Sequence, residues 1–158
     1  MKNSRCKDFH VFSFIEPSPE ILGRKKSCHL MSDYIYFSSR DELFRISLSQ
    51  IVYCEAEGNF TKVMLVNGTP CLLGVSLGKM EYLFETHYHP ETGVFARIGK
   101  RYIINLNYIL CINILRHEVQ LSDQMRFNYK ISISKEALKV LKDKMTLNKK
   151  TINNLMNK

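Results

Sequence analysis

Short runs of β-branched and aromatic residues recur from Tyr34 onward, each closed by a polar or glycine-containing break. Tyr34 to Phe37, Leu43 to Ile46, Ile51 to Cys54, Phe60 to Val66 and Thr69 to Val75 come first. Phe95 to Ile98, Tyr102 to Ile104, Ile109 to Leu115, His117 to Leu121 and Met125 to Ile133 follow. Runs of this length and residue type read as strands, so the chain is expected to be mainly β. Asn67-Gly68 stands between two of them, and the pair tolerates the positive φ that a two-residue type I′ hairpin turn needs at both positions.

Two segments break the strand rhythm. After Ser76, a candidate N-cap, Leu77, Met80, Leu83 and Phe84 fall three and four apart and predict a short helix to about Glu85. Ser134 likewise heads a C-terminal helix in which Leu138, Leu141 and Met145 form an apolar stripe beside Lys135, Lys139 and Lys142. Residues 1 to 40 are expected to be an arm or extension, because periodicity is poor up to about residue 32 and Pro17 and Pro19 interrupt ladders and helices. Residues 41 to 145 form the expected domain, and 146 to 158 a flexible or weakly helical basic tail.

A chain of 158 residues suits one compact domain with short additions. Its 23 Lys plus Arg against 15 Asp plus Glu give a formal charge of +8, which attracts polyanions without naming one. The apolar runs fall far short of the roughly 20 residues a membrane-crossing helix needs, and the N-terminus lacks the apolar core of a secretory signal. Five cysteines, an odd number without CxxC spacing, fit a reducing cytoplasm.

The densest basic feature is Arg97, Lys100 and Arg101 around Gly99, between Phe95 and the run Tyr102 to Ile104. A glycine permits a tight bend there, and Arg and Lys pair with phosphate oxygens or guanine edges; a solvated basic turn is the plainer reading. Lys135 sits in the first turn of the last helix, where free backbone N–H groups favour an anion, or it is simply a surface lysine, with Lys139 continuing the same basic face. Glu57-Gly58-Asn59, followed by Phe60, joins two strands. Asn59 has the donor and acceptor needed to read adenine, or it stabilises its own turn, and Lys62 can reach a phosphate if its strand face is open.

Catalytic chemistry has little support. His87 with His89, and Cys28 with His29, make no complete zinc set at a recognised spacing. Cys54, Cys71 and Cys111 lie in apolar runs, where a thiol is usually a small hydrophobe. Glu55 and Glu57 share strand parity and read as surface residues. Phosphate loops, dinucleotide fingerprints and nucleophile elbows are not found in the sequence. No enzyme, cofactor or metal is expected.

Four stretches in order, ISLSQIVYCEAEGNF (46–60), VSLGKMEYL (75–83), FARIGKRYIINLNYI (95–109) and ISISKEALKVLK (131–142), resemble the LytTR-type DNA-binding domain family over about residues 41 to 145. The resemblance implies a multi-stranded β domain with short helices, including a C-terminal one, whose loops enter DNA major grooves without a helix-turn-helix. It further implies transcription regulation, double-stranded DNA bound at repeated sites by two copies, and a bent duplex. Carried over residue by residue, it puts Asn59 or Phe60, Lys100 and Lys135 at the DNA, Arg97 at a supporting or phosphate-contacting position, and Asn105 in a structural role. Gly99 stands where relatives often have histidine and Arg101 where they often have a small hydroxyl residue, so the target sequence is not inherited. Many relatives carry a receiver domain ahead of this module, and about 40 residues cannot hold one, which points to a separate signalling protein. A protein-interaction module using a strand edge or the C-terminal helix, and an RNA-binding module stacking bases on Phe60 or Tyr102, remain as alternatives.

Overall fold

The computed structural model describes residues 34–87 and 93–156. β1 (Tyr34–Ser38) and β2 (Leu43–Ser47) form an antiparallel hairpin. β3 (Ile51–Glu57), β4 (Phe60–Leu65), β5 (Pro70–Leu73), β6 (Phe95–Ile98) and β7 (Tyr102–Asn105) build a five-stranded antiparallel sheet in the order β5-β4-β3-β7-β6. β8 (Ile109–Asn113), β9 (Glu118–Ser122) and β10 (Asn128–Ser132) make a third sheet, ordered β10-β9-β8. α1 (Leu77–His87) links β5 to β6, and α2 (Lys135–Met156) follows β10. The mostly β architecture with two helices agrees with the pattern of short runs.

The five-stranded sheet is apolar on both faces because its strands must close two cores. Neighbours Ile103 and Ile104 point to opposite sides, as strand alternation requires. Ile103 joins Ile35, Phe37, Val63, Met80 and Phe84 under the first hairpin and α1. Ile104 joins Val119, Leu121, Ile131, Leu138 and Leu141 under the third sheet and α2. Full burial of each isoleucine contributes about 1.5–3 kcal/mol. A bulge on β3 between Ile51 and Tyr53 inserts Val52, so Val52 and Tyr53 both serve the second core while Ile51 and Cys54 serve the first.

Both helix starts use the expected serines: Lys79 N–H donates to Ser76 Oγ at 3.3 Å and Ala137 N–H to Ser134 Oγ at 3.4 Å. Several boundaries differ from the sequence reading. The β4–β5 hairpin forms, but only Gly68 has a positive φ (+81°), so its turn is not type I′. Instead Gly68 N–H bonds to Leu65 O at 3.0 Å and Asn67 Oδ1 accepts the Thr69 N–H at 2.9 Å, a wider loop that Asn67 stabilises from its side chain. β8 stops at Asn113, whose Oδ1 accepts the Arg116 N–H at 3.0 Å. β10 begins only at Asn128, since Asp123 Oδ1 gathers the N–H groups of Met125, Arg126 and Phe127 into a turn.

At the ends of the domain, Ile35 and Phe37 are buried in the first core, so packing begins within the segment expected as an arm. The backbone of α2 continues as helix through Met156, into the expected tail. Residues 1–33, with Cys28 and His29, and residues 88–92, with His89, lie outside the described residues.

Candidate nucleic-acid interface

In the order β4-β3-β7-β6, β3 finishes and β7 begins at the same end of the sheet, so two hairpin ends lie side by side. Glu55 faces Tyr102 across the β3–β7 pair, and Ala56 N–H bonds to Arg101 O at 2.8 Å. The β3–β4 connection is the two residues Gly58 and Asn59, with Gly58 at φ +62° and Asn59 exposed. Phe60 starts β4 half-buried. The β6–β7 connection is Gly99, Lys100 and Arg101, all exposed, with Gly99 also at φ +62°. A Cβ on Gly99 would meet nothing within 4 Å, so the backbone angle rather than space calls for glycine there. Asn59, Phe60, Lys100 and Arg101 therefore come together although some 40 residues separate the two connections.

Arg97 braces the second connection. It bridges that connection to α1: Nε donates to Gly99 O at 3.1 Å, Nη2 to Lys100 O at 3.0 Å and Nη1 to Glu81 Oε2 at 2.9 Å. Of the two roles the sequence left open for it, the geometry displays loop support. Asn105 is likewise structural. Its buried amide donates to Ile51 O at 2.9 Å and its Oδ1 accepts the Asn107 N–H at 3.0 Å, tying the end of β7 to β3.

Glu55 was expected at the surface and is instead only 8% exposed. Its Oε2 lies 3.0 Å from Lys62 Nζ, and its Oε1 takes Arg101 Nη2 at 2.8 Å and the Tyr102 hydroxyl at 3.1 Å. Burial alone would raise this carboxyl, but hydrogen bonds from Lys62 and Tyr102 and the charges of Lys62 and Arg101 outweigh it and hold the pKa below the usual value. Lys62 is raised, chiefly by its bond to Glu55, and Tyr102 is raised by burial and then by Glu55, so both remain donors. Lys62 also reaches Glu57 at 3.3 Å. A sequence signal for this existed: a two-residue Gly58-Asn59 connection pairs Glu57 with Phe60 and so Glu55 with Lys62. The parts played by Arg101 and Tyr102 had none.

Lys135 and Lys139 are exposed on α2, which packs against β6 and β8 through its buried Leu138 and Leu141. That packing sets the helix beside the strand leading into Gly99. Among the described residues no hydrogen bond or ion pair joins these two lysines to the hairpin ends. No cluster of three metal-ligating side chains occurs among the described residues, and no described helix is long and apolar enough to cross a membrane. Burial pushes the Cys54 and Cys71 thiols up, away from the reactive thiolate.

Three antiparallel sheets, with the polar Gly58-Asn59 and the cationic Gly99-Lys100-Arg101 connections at one sheet end, define a mostly β domain. The family model described as the LytTr DNA-binding domain matches residues 41–146, and the chain belongs to that family, whose members are generally DNA-binding transcription regulators rather than enzymes. A solved structure of the same fold is the LytTr DNA-binding domain of a Bacillus cereus protein described as a methyl-accepting/DNA response regulator. The likeness has a TM-score of 0.52 at 20% identity and covers 70% of this chain and 94% of that one. No curated protein sequence matches the chain.

Proposed function

We infer that this chain is a cytoplasmic transcription regulator that binds double-stranded DNA sequence-specifically, entering major grooves with its two adjoining hairpin ends and the start of α2. The observation that supports the reading is the seam between those ends, where Ala56 N–H bonds to Arg101 O and joins the hairpin that carries Asn59 to the one that carries Lys100 and Arg101. Asn59 has the paired donor and acceptor that adenine presents a match for, and Arg101 the fork that fits guanine or phosphate. Lys100 and Lys135 position the backbone, Lys135 with help from the open N–H groups of the helix start. Arg97 holds the turn that presents Lys100 and Arg101.

Two copies bind repeated sites, as the family resemblance suggests. Selection from random duplexes followed by sequencing tests both specificity and repetition: an enriched motif occurring twice at a fixed spacing is expected, and no enrichment refutes the reading. In a salt-controlled titration Arg101→Ala should cost about 1–3 kcal/mol at the selected site if it reads a base, whereas Lys100→Ala should weaken all duplexes alike and flatten the salt dependence by about one unit. Stronger competition by single-stranded RNA than by duplex DNA would favour an RNA-binding module instead.

A further inference from the structure

Glu55 places a buried negative charge directly beneath the cationic hairpin ends, which is costly for a surface meant to attract a polyanion. Its surroundings explain how it is held. Lys62 is saturated by carboxylates, with Glu55 Oε2 at 3.0 Å and Glu57 Oε1 at 3.3 Å. Arg101 is different: its side chain is 65% exposed, yet one nitrogen is drawn back onto Glu55 Oε1 at 2.8 Å and its guanidinium lies 5.6 Å from the centre of the Tyr102 ring. The Tyr102 hydroxyl donates to the same Oε1 at 3.1 Å, a second hold on the oxygen that Arg101 meets.

We propose that Glu55 is the specificity-determining residue of this interface, a carboxylate that neutralises Lys62 and competes with DNA for Arg101. The inference rests on the DNA-binding reading above. A lone phosphate must take Arg101 Nη2 from a carboxylate oxygen that already gives it a charge-assisted bond, so its gain is only the difference between the two anions. A phosphate from a duplex seated in register, or a guanine edge, adds contacts from Asn59 and Lys100 and outbids the carboxylate. Loose electrostatic association is thereby suppressed and matched sites are spared. Without Glu55 the surface would hold Arg101 as a free cation and Lys62 with Glu57 as its one remaining carboxylate, and it would grip any duplex more tightly.

The test compares the intact protein with Glu55→Gln, which keeps shape and can still accept the Tyr102 hydroxyl. Titration against a random-sequence duplex and the selected duplex, from about 50 to 200 mM salt, gives affinities and salt slopes. Each freed cation steepens the slope by about 0.9, or roughly 3-fold in affinity across that range. Glu55→Gln is expected to tighten random-duplex binding at the low-salt end by roughly 3- to 10-fold and to shrink the ratio of specific to random affinity by a similar factor. An unchanged slope and ratio in a folded Glu55→Gln protein would overturn the proposal while leaving DNA binding standing; an intact protein that binds no duplex at low salt would overturn both. Should Glu55→Gln fail to fold, Lys62→Met and Arg101→Ala serve instead. Coupled through one carboxylate, their effects on DNA affinity should be non-additive, and additive effects would defeat the inference.

Discussion

Replacing Arg97 by methionine keeps the aliphatic stem and deletes every guanidinium bond. Three interactions are lost, at 3.1 Å to Gly99 O, 3.0 Å to Lys100 O and 2.9 Å to Glu81. The Glu81 pair is about a third exposed on both sides, so solvent screening limits it to at most about 1 kcal/mol. A charged donor on a carbonyl contributes about 1.5–3 kcal/mol in a dry site, and partial exposure brings the two carbonyl bonds to about 2 kcal/mol together. Arg97→Met should therefore destabilise the fold by about 2–3 kcal/mol, lowering a urea midpoint by roughly 1–1.5 M for a slope near 2 kcal/mol per M. DNA affinity should fall as well, because Lys100 and Arg101 lose the brace on their turn, while the salt slope stays put, since no phosphate contact has gone. An unchanged urea midpoint with a salt slope smaller by about one unit would refute the reasoning and make Arg97 a phosphate ligand.

Asn105→Ala strands Ile51 O at the buried junction of β3 and β7 while the exposed Asn107 N–H turns to water, and urea unfolding should register a loss of about 1–3 kcal/mol. Gly99→Ala and Gly78→Ala both add a Cβ that meets nothing within 4 Å, yet thermal melts should move in opposite directions. At Gly99 the φ of +62° costs an alanine about 1–2 kcal/mol, whereas in α1 alanine gains up to about 1 kcal/mol. The carboxyls of Glu55 and Asp123 both lie below their usual values, Asp123 chiefly through the Arg126 backbone N–H. A depressed folded pKa gives stability that is present above the unfolded pKa and lost as pH falls through the folded one. Melting temperature should thus decline on acidification below about pH 4.5, and Glu55→Gln should flatten that decline; an identical acid limb in the variant would contradict the placement of the charge.

Much of the framework follows from local chemistry. Serines ahead of apolar stripes marked both helix starts, and residue-type runs marked the strands, because capping and side-chain fit to a pleated surface act over a few residues. Side-chain hydrogen bonds to nearby backbone override those local preferences at two turns. Asn67-Gly68 announced a hairpin, but Asn67 spends its side chain on the Thr69 N–H and takes no positive φ. Met125 and Arg126 read as strand, while Asp123 folds their N–H groups into a turn.

For the interface, the sequence by itself determined the parts: Asn59 after Gly58, Lys100 and Arg101 after Gly99, Lys135 at a helix start, and, through hairpin register, Glu55 opposite Lys62. Their assembly belongs to the tertiary structure. Glu55 meets Tyr102 only because β7 pairs with β3 from 47 residues away, and Arg97 finds Glu81 only because α1 covers that face of the sheet. That a turn falls at a given place is written in its glycine and polar residues, although its type depends on which N–H groups their side chains take. A polar contact between distant elements exists only once the two apolar cores have fixed which elements are neighbours, and that choice depends on the whole chain packing at once.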